Sequence, residues 1–248
     1  MPLPIDTHIA LALCMMLGAA LYSSVGHAGA SAYIALMALF GMPAAVMRPT
    51  ALVLNIVVGT LASLRFASAG LFHWPTLWPL LVGAIPAAFI GGSIDLPGHI
   101  YRPLVGVVLL VSAARFLWPT EFKTNAEWRT PPVGLGIAVG AAIGLLAGLT
   151  GTGGGIFLSP ILLFCAWAST RTASGIAAVF ILCNSAAGLL GNLVSVRALP
   201  PELPLYIAGV VTGGLIGTTL GIRLPVDAIL KALGIVLVIA GTKLIGLH

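Results

Sequence analysis

The chain has 248 residues, of which 59% are hydrophobic and only 7% are charged, and its formal net charge is +5. Soluble domains carry about 25% charged residues, so this composition excludes a soluble globular fold. The apolar runs are continuous rather than alternating, which excludes a β-barrel and leaves an all-α, polytopic membrane protein. The basic residues lie mostly at the ends of apolar runs and form no dense cluster. We therefore expect the lipid bilayer, and not nucleic acid, as a partner.

Ten apolar segments follow one another along the chain and predict ten helical segments. They cover residues 7–25, 28–41, 46–64, 75–94, 99–118, 133–150, 154–168, 172–196, 202–222 and 226–246. A helix needs about 20 apolar residues to cross a bilayer, so the second and seventh segments are candidates for half-spanning or re-entrant helices. The first segment is preceded by no Lys or Arg of the kind that opens a signal peptide, so we expect it to be retained.

One substantial polar stretch, residues 119–132, interrupts the apolar sequence near its middle. We interpret it as a linker between an N-terminal transmembrane repeat, residues 1–118, and a C-terminal one, residues 133–248. Each half then holds five segments.

An internal comparison supports a duplication of these halves. A shift of 126 residues aligns Val25-Gly-His-Ala-Gly29 with Gly151-Thr-Gly-Gly-Gly155, and a shift of 129 aligns Asn55 with Asn184. Matched Asn and Gly residues are better evidence than shared hydrophobicity, which any two membrane halves would show.

An odd number of segments in each half predicts that the second copy enters the membrane from the opposite side. This inverted-repeat plan is typical of many secondary transporters. If the first two segments of each half fold back as a hairpin, each half still crosses the membrane three times. Three is also an odd number, so the two halves would still be inverted. Seven of the eleven Lys and Arg residues fall on the side of the central linker, which favours that side as cytoplasmic.

The most informative stretch is the glycine-rich sequence at 148–156, with a degenerate counterpart at 22–30. Residues 148–155 contain five glycines. Each glycine costs roughly 1 kcal/mol relative to alanine in a helix interior, so we expect a helix break in each half. A break exposes the N–H groups that open the next helix, and these carry partial positive charge that suits an anion. Glycine at 153–155 would let a ligand approach that backbone closely.

Other glycines follow a four-residue spacing that is typical of close helix packing. They are Gly140, Gly144 and Gly148 in one segment, and Gly209, Gly213, Gly217 and Gly221 in another. Consecutive glycines do not keep to one face of a helix, so packing explains 153–155 less well. A phosphate-binding loop needs a Lys after the glycines, and a dinucleotide fingerprint needs Gly at the position of Ile156, so both interpretations fail. A channel filter built from the backbone carbonyls of 150–154 remains an alternative.

Five polar or charged side chains, at the breaks or in the helices that follow them, have two interpretations each. Asn55 and Asn184 occupy matched positions inside apolar helices, where they either form interhelical hydrogen bonds or contact a ligand. His27 either takes part in binding or proton transfer, or is a hydrogen-bonded packing residue. Arg48 and Arg171 open the third segment of each half and either guide an anion inward or anchor helix ends.

The acidic residues all lie near segment ends, so a buried carboxylate relay has no candidate. They are Asp6, Asp95, Glu121, Glu127, Glu202 and Asp227. This distribution favours an anionic or neutral ligand over a cation. No nucleophile and base, paired carboxylates or metal-ligand cluster occurs at useful spacing, so we expect neither an enzyme nor a bound cofactor or metal.

The duplicated pattern of a small-residue break, a short apolar segment and a helix that carries Asn resembles the TauE/SafE sulfite exporter family. The clearest stretches are Gly148-Leu-Thr-Gly-Thr-Gly-Gly-Gly-Ile-Phe-Leu-Ser-Pro160 and Phe180-Ile-Leu-Cys-Asn-Ser-Ala-Ala-Gly-Leu-Leu-Gly-Asn192. The resemblance covers essentially the whole chain, although Gly26-His27-Ala28-Gly29 departs from the family's glycine-rich pattern. It implies a multi-pass transporter of the bacterial inner membrane that exports sulfite, sulfonates or related small anions.

We therefore predict a site between the two breaks where a small oxyanion binds. Its candidate residues are Tyr22, Ser23, Ser24, Gly26, His27, Gly29, Ser31, Asn55, Thr150, Gly151, Thr152, Gly153, Gly154, Gly155 and Asn184. The two halves would rock around this site to give alternating access, and an anion channel with the same breaks as its constriction is the alternative. The sequence leaves open whether the protein forms a homo-oligomer.

Overall fold

A computed structural model describes residues 4–24, 27–117, 128–193, 196, 199–220 and 226–246. Across these residues every regular element is a helix, and there are ten of them. They are α1 (Ile5–Ser24), α2 (Ala30–Leu39), α3 (Ala44–Ser68), α4 (Trp74–Ser93), α5 (Gly98–Leu117), α6 (Val133–Thr150), α7 (Gly155–Phe164), α8 (Thr170–Gly191), α9 (Leu203–Leu220) and α10 (Val226–Ile245). The predicted all-α fold and its ten segments are confirmed. Residues 119–127 of the predicted linker lie outside the described residues.

Five of the helices are long and apolar enough to cross a membrane, counted over the described residues alone. They are α1, α3, α4, α6 and α8. In α5, α9 and α10, the apolar stretches counted in the same way have fewer than 18 residues, because the side chains of some residues in these helices are not described. The chain is a multi-pass membrane protein.

The helices α2 and α7 are too short to cross a bilayer. Each has 10 residues, or about 15 Å of helix. Both fold back on the helix before them: a Cβ built on Gly18 of α1 would lie 3.4 Å from Ala32 Cβ, and Leu158 of α7 packs in one apolar cluster with Ile143 of α6. The structure thus has the hairpin arrangement that the sequence left open for each half, as α1–α2 and α6–α7.

Two close helix pairs each join one helix from either half of the sequence. Along α6, a Cβ on Gly140, Gly144 or Gly148 would overlap the backbone of Leu80, Ala84 or Ala88 in α4. Along α9, a Cβ on Gly209, Gly213 or Gly217 would approach the backbone of Ala12, Met16 or Ala20 in α1. Both pairs run parallel, since residue numbers rise together along them. The packing role predicted for these glycines is confirmed where the structure describes them.

The helices α3 and α8 cross in opposite directions at the centre. Gly59 packs on Leu182, and Gly188 packs on Leu52. Because each of these helices follows its own hairpin, the α1–α2 and α6–α7 hairpins enter the bundle from opposite ends. Two further helices, α5 and α10, also pack against each other. This arrangement is what an inverted repeat requires, although the duplication itself stays a prediction.

Candidate functional site

The two breaks predicted from the glycine pattern separate α1 from α2 and α6 from α7. In the first, Gly29 adopts a φ of 95° just before α2. In the second, Gly151, Gly153 and Gly154 adopt φ values of 83°, 73° and 79°. L-residues with a side chain rarely adopt this left-handed region, so the glycines permit the chain to turn into the next helix. Gly26 lies outside the described residues.

A hydrogen bond joins the two breaks. His27 Nε2 lies 3.0 Å from Ser159 Oγ in the second turn of α7. A Cβ built on Gly155 would lie 3.6 Å from His27 Cδ2, so the backbone at the start of α7 also contacts the imidazole. The Tyr22 ring meets the His27 ring edge-on at a centroid distance of 6.4 Å. The first hairpin thus contacts the second through His27.

Asn55 lies near the middle of α3 and faces the second break. Its side chain is fully buried, and Nδ2 donates to Ser185 Oγ of α8 at 3.2 Å. A Cβ on Gly153 would overlap Asn55 Nδ2, so the glycine leaves the space that the amide occupies. The Asn55 Oδ1 atom has no hydrogen-bond partner.

Asn184 and Ser23 are also buried and have polar atoms without a partner. Both polar atoms of the Asn184 amide lack one, although the residue is 0% exposed. Ser23, which is 2% exposed, also has an unpartnered hydroxyl. A buried polar group without a partner costs about 1–3 kcal/mol, and such groups often mark a binding site.

The remaining hydroxyls around the breaks are occupied. Tyr22 and Ser31 share a hydrogen bond of 2.6 Å, and Ser24 Oγ donates to Leu21 O. Thr150 Oγ1 lies 2.9 Å from Thr152 Oγ1 and 2.6 Å from Leu146 O. These five side chains stabilise the breaks themselves.

At the breaks, the C-termini of α1 and α6 differ from the N-termini of α2 and α7 in their hydrogen bonding. The carbonyls that end α1 and α6 have partners: His27 N donates to Tyr22 O, Gly151 N to Ala147 O, and Tyr101 Oη to Thr150 O. No side chain caps the N-terminus of α2 or of α7, where Gly29 and Gly154 are the cap residues. The first N–H groups of a helix have no partner within it. The site therefore offers N–H donors rather than carbonyl acceptors.

Arg48 and Arg171, which sequence analysis singled out together, have different environments. Arg48 is 6% exposed, and its guanidinium donates to three carbonyls at the end of α4, those of Gly91, Gly92 and Ile94. It therefore caps a helix C-terminus and does not face an entrance. Arg171 is exposed at the opposite end of the bundle.

A basic cavity of about 340 Å³ opens at the end of the bundle where α3 begins. Its lining includes the exposed side chains of His99, Arg102 and Lys243. Lys243 Nζ also donates to Leu39 O at the end of α2. The cavity is a more accessible cationic surface than Arg48.

Sequence reasoning missed Ser159, Ser185 and the basic cavity. Ser159 and Ser185 are ordinary small residues in apolar helices, and only their contacts with His27 and Asn55 distinguish them. The cavity joins residues from α2, α5 and α10, which are far apart in sequence. No group of three or more His, Cys, Asp or Glu residues that could hold a metal occurs within the described part of the chain.

Comparison with known proteins agrees with this architecture. The chain is 37% identical to the probable membrane transporter protein y4hK of Sinorhizobium fredii over 241 residues, which is 96% of this chain and 98% of the relative. It is 26% identical to the probable membrane transporter protein MamO of Magnetospirillum gryphiswaldense over 236 residues, 77% of this chain but 37% of that longer protein. No solved structure matches the chain significantly. The family described as Sulfite exporter TauE/SafE matches residues 11–244. The chain is thus a membrane transporter and belongs to the sulfite exporter TauE/SafE family.

Proposed function

We propose that the chain is a secondary transporter that exports small sulfur-containing anions, such as sulfite or sulfonates, across the bacterial inner membrane. One observation carries the proposal: the uncapped N-terminus of α7 follows Gly153, which packs against the buried Asn55 amide with its unpartnered Oδ1, and the N-terminus of α2 is also uncapped. The N-terminus of a helix carries about +0.5 of an elementary charge and presents free N–H groups. Amide N–H groups and hydroxyls add neutral donors. A small oxyanion accepts hydrogen bonds from all of these N–H and O–H donors.

The same geometry disfavours a cation. A cation needs oxygen ligands, but three of the carbonyls near the ends of α1 and α6, those of Tyr22, Ala147 and Thr150, already accept hydrogen bonds from Tyr101 or from backbone N–H groups. The described acidic side chains lie near helix ends, where Asp6 and Asp95 are exposed and Glu202 is half-buried, so none of them is a buried carboxylate.

Alternating access follows from two hairpins that enter from opposite ends and meet at His27 and Ser159. In this proposal residues 1–118 and 133–248 are inverted copies, and residues 119–132 connect them. A movement that separates the hairpins at one end and closes them at the other exposes the site to each side in turn. The family name and the glycine pattern of the second break supply the sulfur-anion class.

Counterflow in proteoliposomes tests this function. Purified protein is reconstituted with unlabelled sulfite inside, and uptake of labelled sulfite is followed against protein-free liposomes. A secondary transporter gives saturable uptake that the internal substrate accelerates. Short sulfonates and thiosulfate then serve as competitors.

The channel alternative has a different signature in the same preparation. Single-channel conductance, together with uptake that internal substrate does not accelerate, would indicate an anion channel and contradict the transporter. Absence of any sulfite or sulfonate flux from well-folded protein would contradict both functions.

A further inference from the structure

The charge that the site accepts follows from the helix ends around it, and this inference rests on the anion transport proposed above. Arg48 lies between two helix C-termini. Its guanidinium donates to the last carbonyls of α4, and its stem packs on Gly151 at the end of α6, where a Cβ would lie 3.2 Å from Arg48 Cγ. Two helix C-termini together carry about −1 elementary charge. They offset the charge of Arg48.

Arg65 occupies a corresponding position at the other hairpin. Its guanidinium donates to Thr218 Oγ1 near the end of α9. The helices α1 and α9 run parallel with Gly217 beside Ala20, so α1 ends at nearly the same level as Thr218. The half-buried Arg65 thus places a positive charge near the C-terminal end of α9.

The N-termini of α2 and α7 have no such counter-charge. No side chain caps either one. Their half charges sum to about +1. Three buried side chains with unpartnered polar atoms, Asn55 beside Gly153 together with Asn184 and Ser23, are neutral donors and acceptors. They can hydrogen-bond an oxyanion but cannot balance a second negative charge.

We propose that this site takes a singly charged oxyanion and rejects a doubly charged one of the same shape. Moving an ion out of water costs energy in proportion to the square of its charge, so a dianion costs about four times as much as a monoanion. Its attraction to a fixed charge of about +1 only doubles. The substrate class is therefore sulfonates and the hydrogen sulfite form of sulfite, and not sulfate.

Methanesulfonate and sulfate make a matched pair for the experiment. Both ions have a tetrahedral sulfur with three oxygens in common. The fourth substituent is a methyl group in methanesulfonate and a second negatively charged oxygen in sulfate. Uptake of each labelled ion is measured separately in proteoliposomes at pH 8, where an ordinary histidine is neutral. We expect wild-type protein to transport methanesulfonate at least about tenfold faster than sulfate at equal concentration, a preference of about 1.4 kcal/mol.

A variant that adds charge provides the second arm. Asn184→Lys replaces the unpartnered amide with a positively charged side chain. We expect this variant to narrow or reverse the preference for methanesulfonate over sulfate. The wild-type comparison does not depend on whether this variant folds, which size-exclusion chromatography in detergent establishes separately.

The outcomes separate the two proposals. Equal or faster wild-type uptake of sulfate would overturn the charge rule and leave anion transport standing. Failure of sulfite, methanesulfonate and sulfate alike would contradict the proposed function itself.

Discussion

His27 Nε2 and Ser159 Oγ lie 3.0 Å apart and join two hairpins that enter the bundle from opposite ends. The two residues are 132 positions apart in sequence. Their hydrogen bond lies beside the N-terminus of α7, since the imidazole also contacts Gly155. Separation of the hairpins must therefore break it.

Replacement of Ser159 by Ala removes this bond. A typical intramolecular hydrogen bond contributes about 1 kcal/mol, so we expect a loss of stability of that size and a changed rate of sulfite exchange. Thermal unfolding in detergent and counterflow measure the two effects. Ser68→Ala is the control, because Ser68 is exposed and bonds only within its own helix. Equal behaviour of the Ser159 variant and wild type in both assays would contradict a role for this contact.

Replacement of Asn184 by Leu exchanges an unpartnered buried amide for an apolar side chain of similar size. Removal of the unsatisfied polar atoms should raise the stability of the unliganded protein by about 1 kcal/mol. The same change should abolish transport, because the site loses its hydrogen-bonding groups. A variant that is more stable and still fully active would show that Asn184 does not contact substrate.

Replacement of Gly153 by Ala should disrupt the second break. The new Cβ meets the Asn55 amide, and the residue has a φ of 73°. Left-handed backbone alone costs about 1–2 kcal/mol for a residue with a side chain. The matched control is Gly70→Ala, where φ is 68° and nothing lies within 4 Å of the new Cβ.

We expect Gly70→Ala to lose stability by the backbone cost alone and to keep its transport rate. Gly153→Ala should lose both stability and transport. If both variants transport like wild type, the space beside Asn55 is not needed.

The basic cavity should speed the arrival of anions at one end of the bundle. Replacing Arg102 and Lys243 together with Gln should lower uptake from that end about tenfold at low ionic strength. The loss should fade at high salt, where screening reduces the steering in wild type as well. Arg171→Gln, at the opposite end, is the control and should leave uptake from the cavity end unchanged. An equal loss at high salt would indicate a structural role instead.

The helices and the breaks were predictable because both depend on local sequence. Apolar runs determine where a helix can lie in lipid, and consecutive glycines at 153–155 are incompatible with a regular helix at low cost. The predicted second and seventh segments, 28–41 and 154–168, contain the observed helices Ala30–Leu39 and Gly155–Phe164. The predicted segments extend beyond the observed helices at their ends, because the turn residues there are themselves apolar.

The contacts that give the site its chemistry depend on residues far apart in the chain. Nothing near Ser185 in the sequence indicates that it accepts a hydrogen bond from Asn55. The role of Arg48 was also not decidable from sequence, because an arginine near the start of a helix can snorkel outward or turn inward. It turns inward because the carbonyls of Gly91, Gly92 and Ile94 provide three acceptors there.

The pairing of α1 with α9 bears on how the protein is made. The helix α1 is synthesised before α9, but the glycine surface on which it packs belongs to α9, about two hundred residues later. Until α9 is inserted, Ala12, Met16 and Ala20 face lipid or a chaperone in place of their final partner. Premature termination before residue 203 therefore leaves an N-terminal fragment without its closest contact, and quality-control proteases should clear it. The pairing of α1 with α9 therefore forms only after the first eight helices have been made.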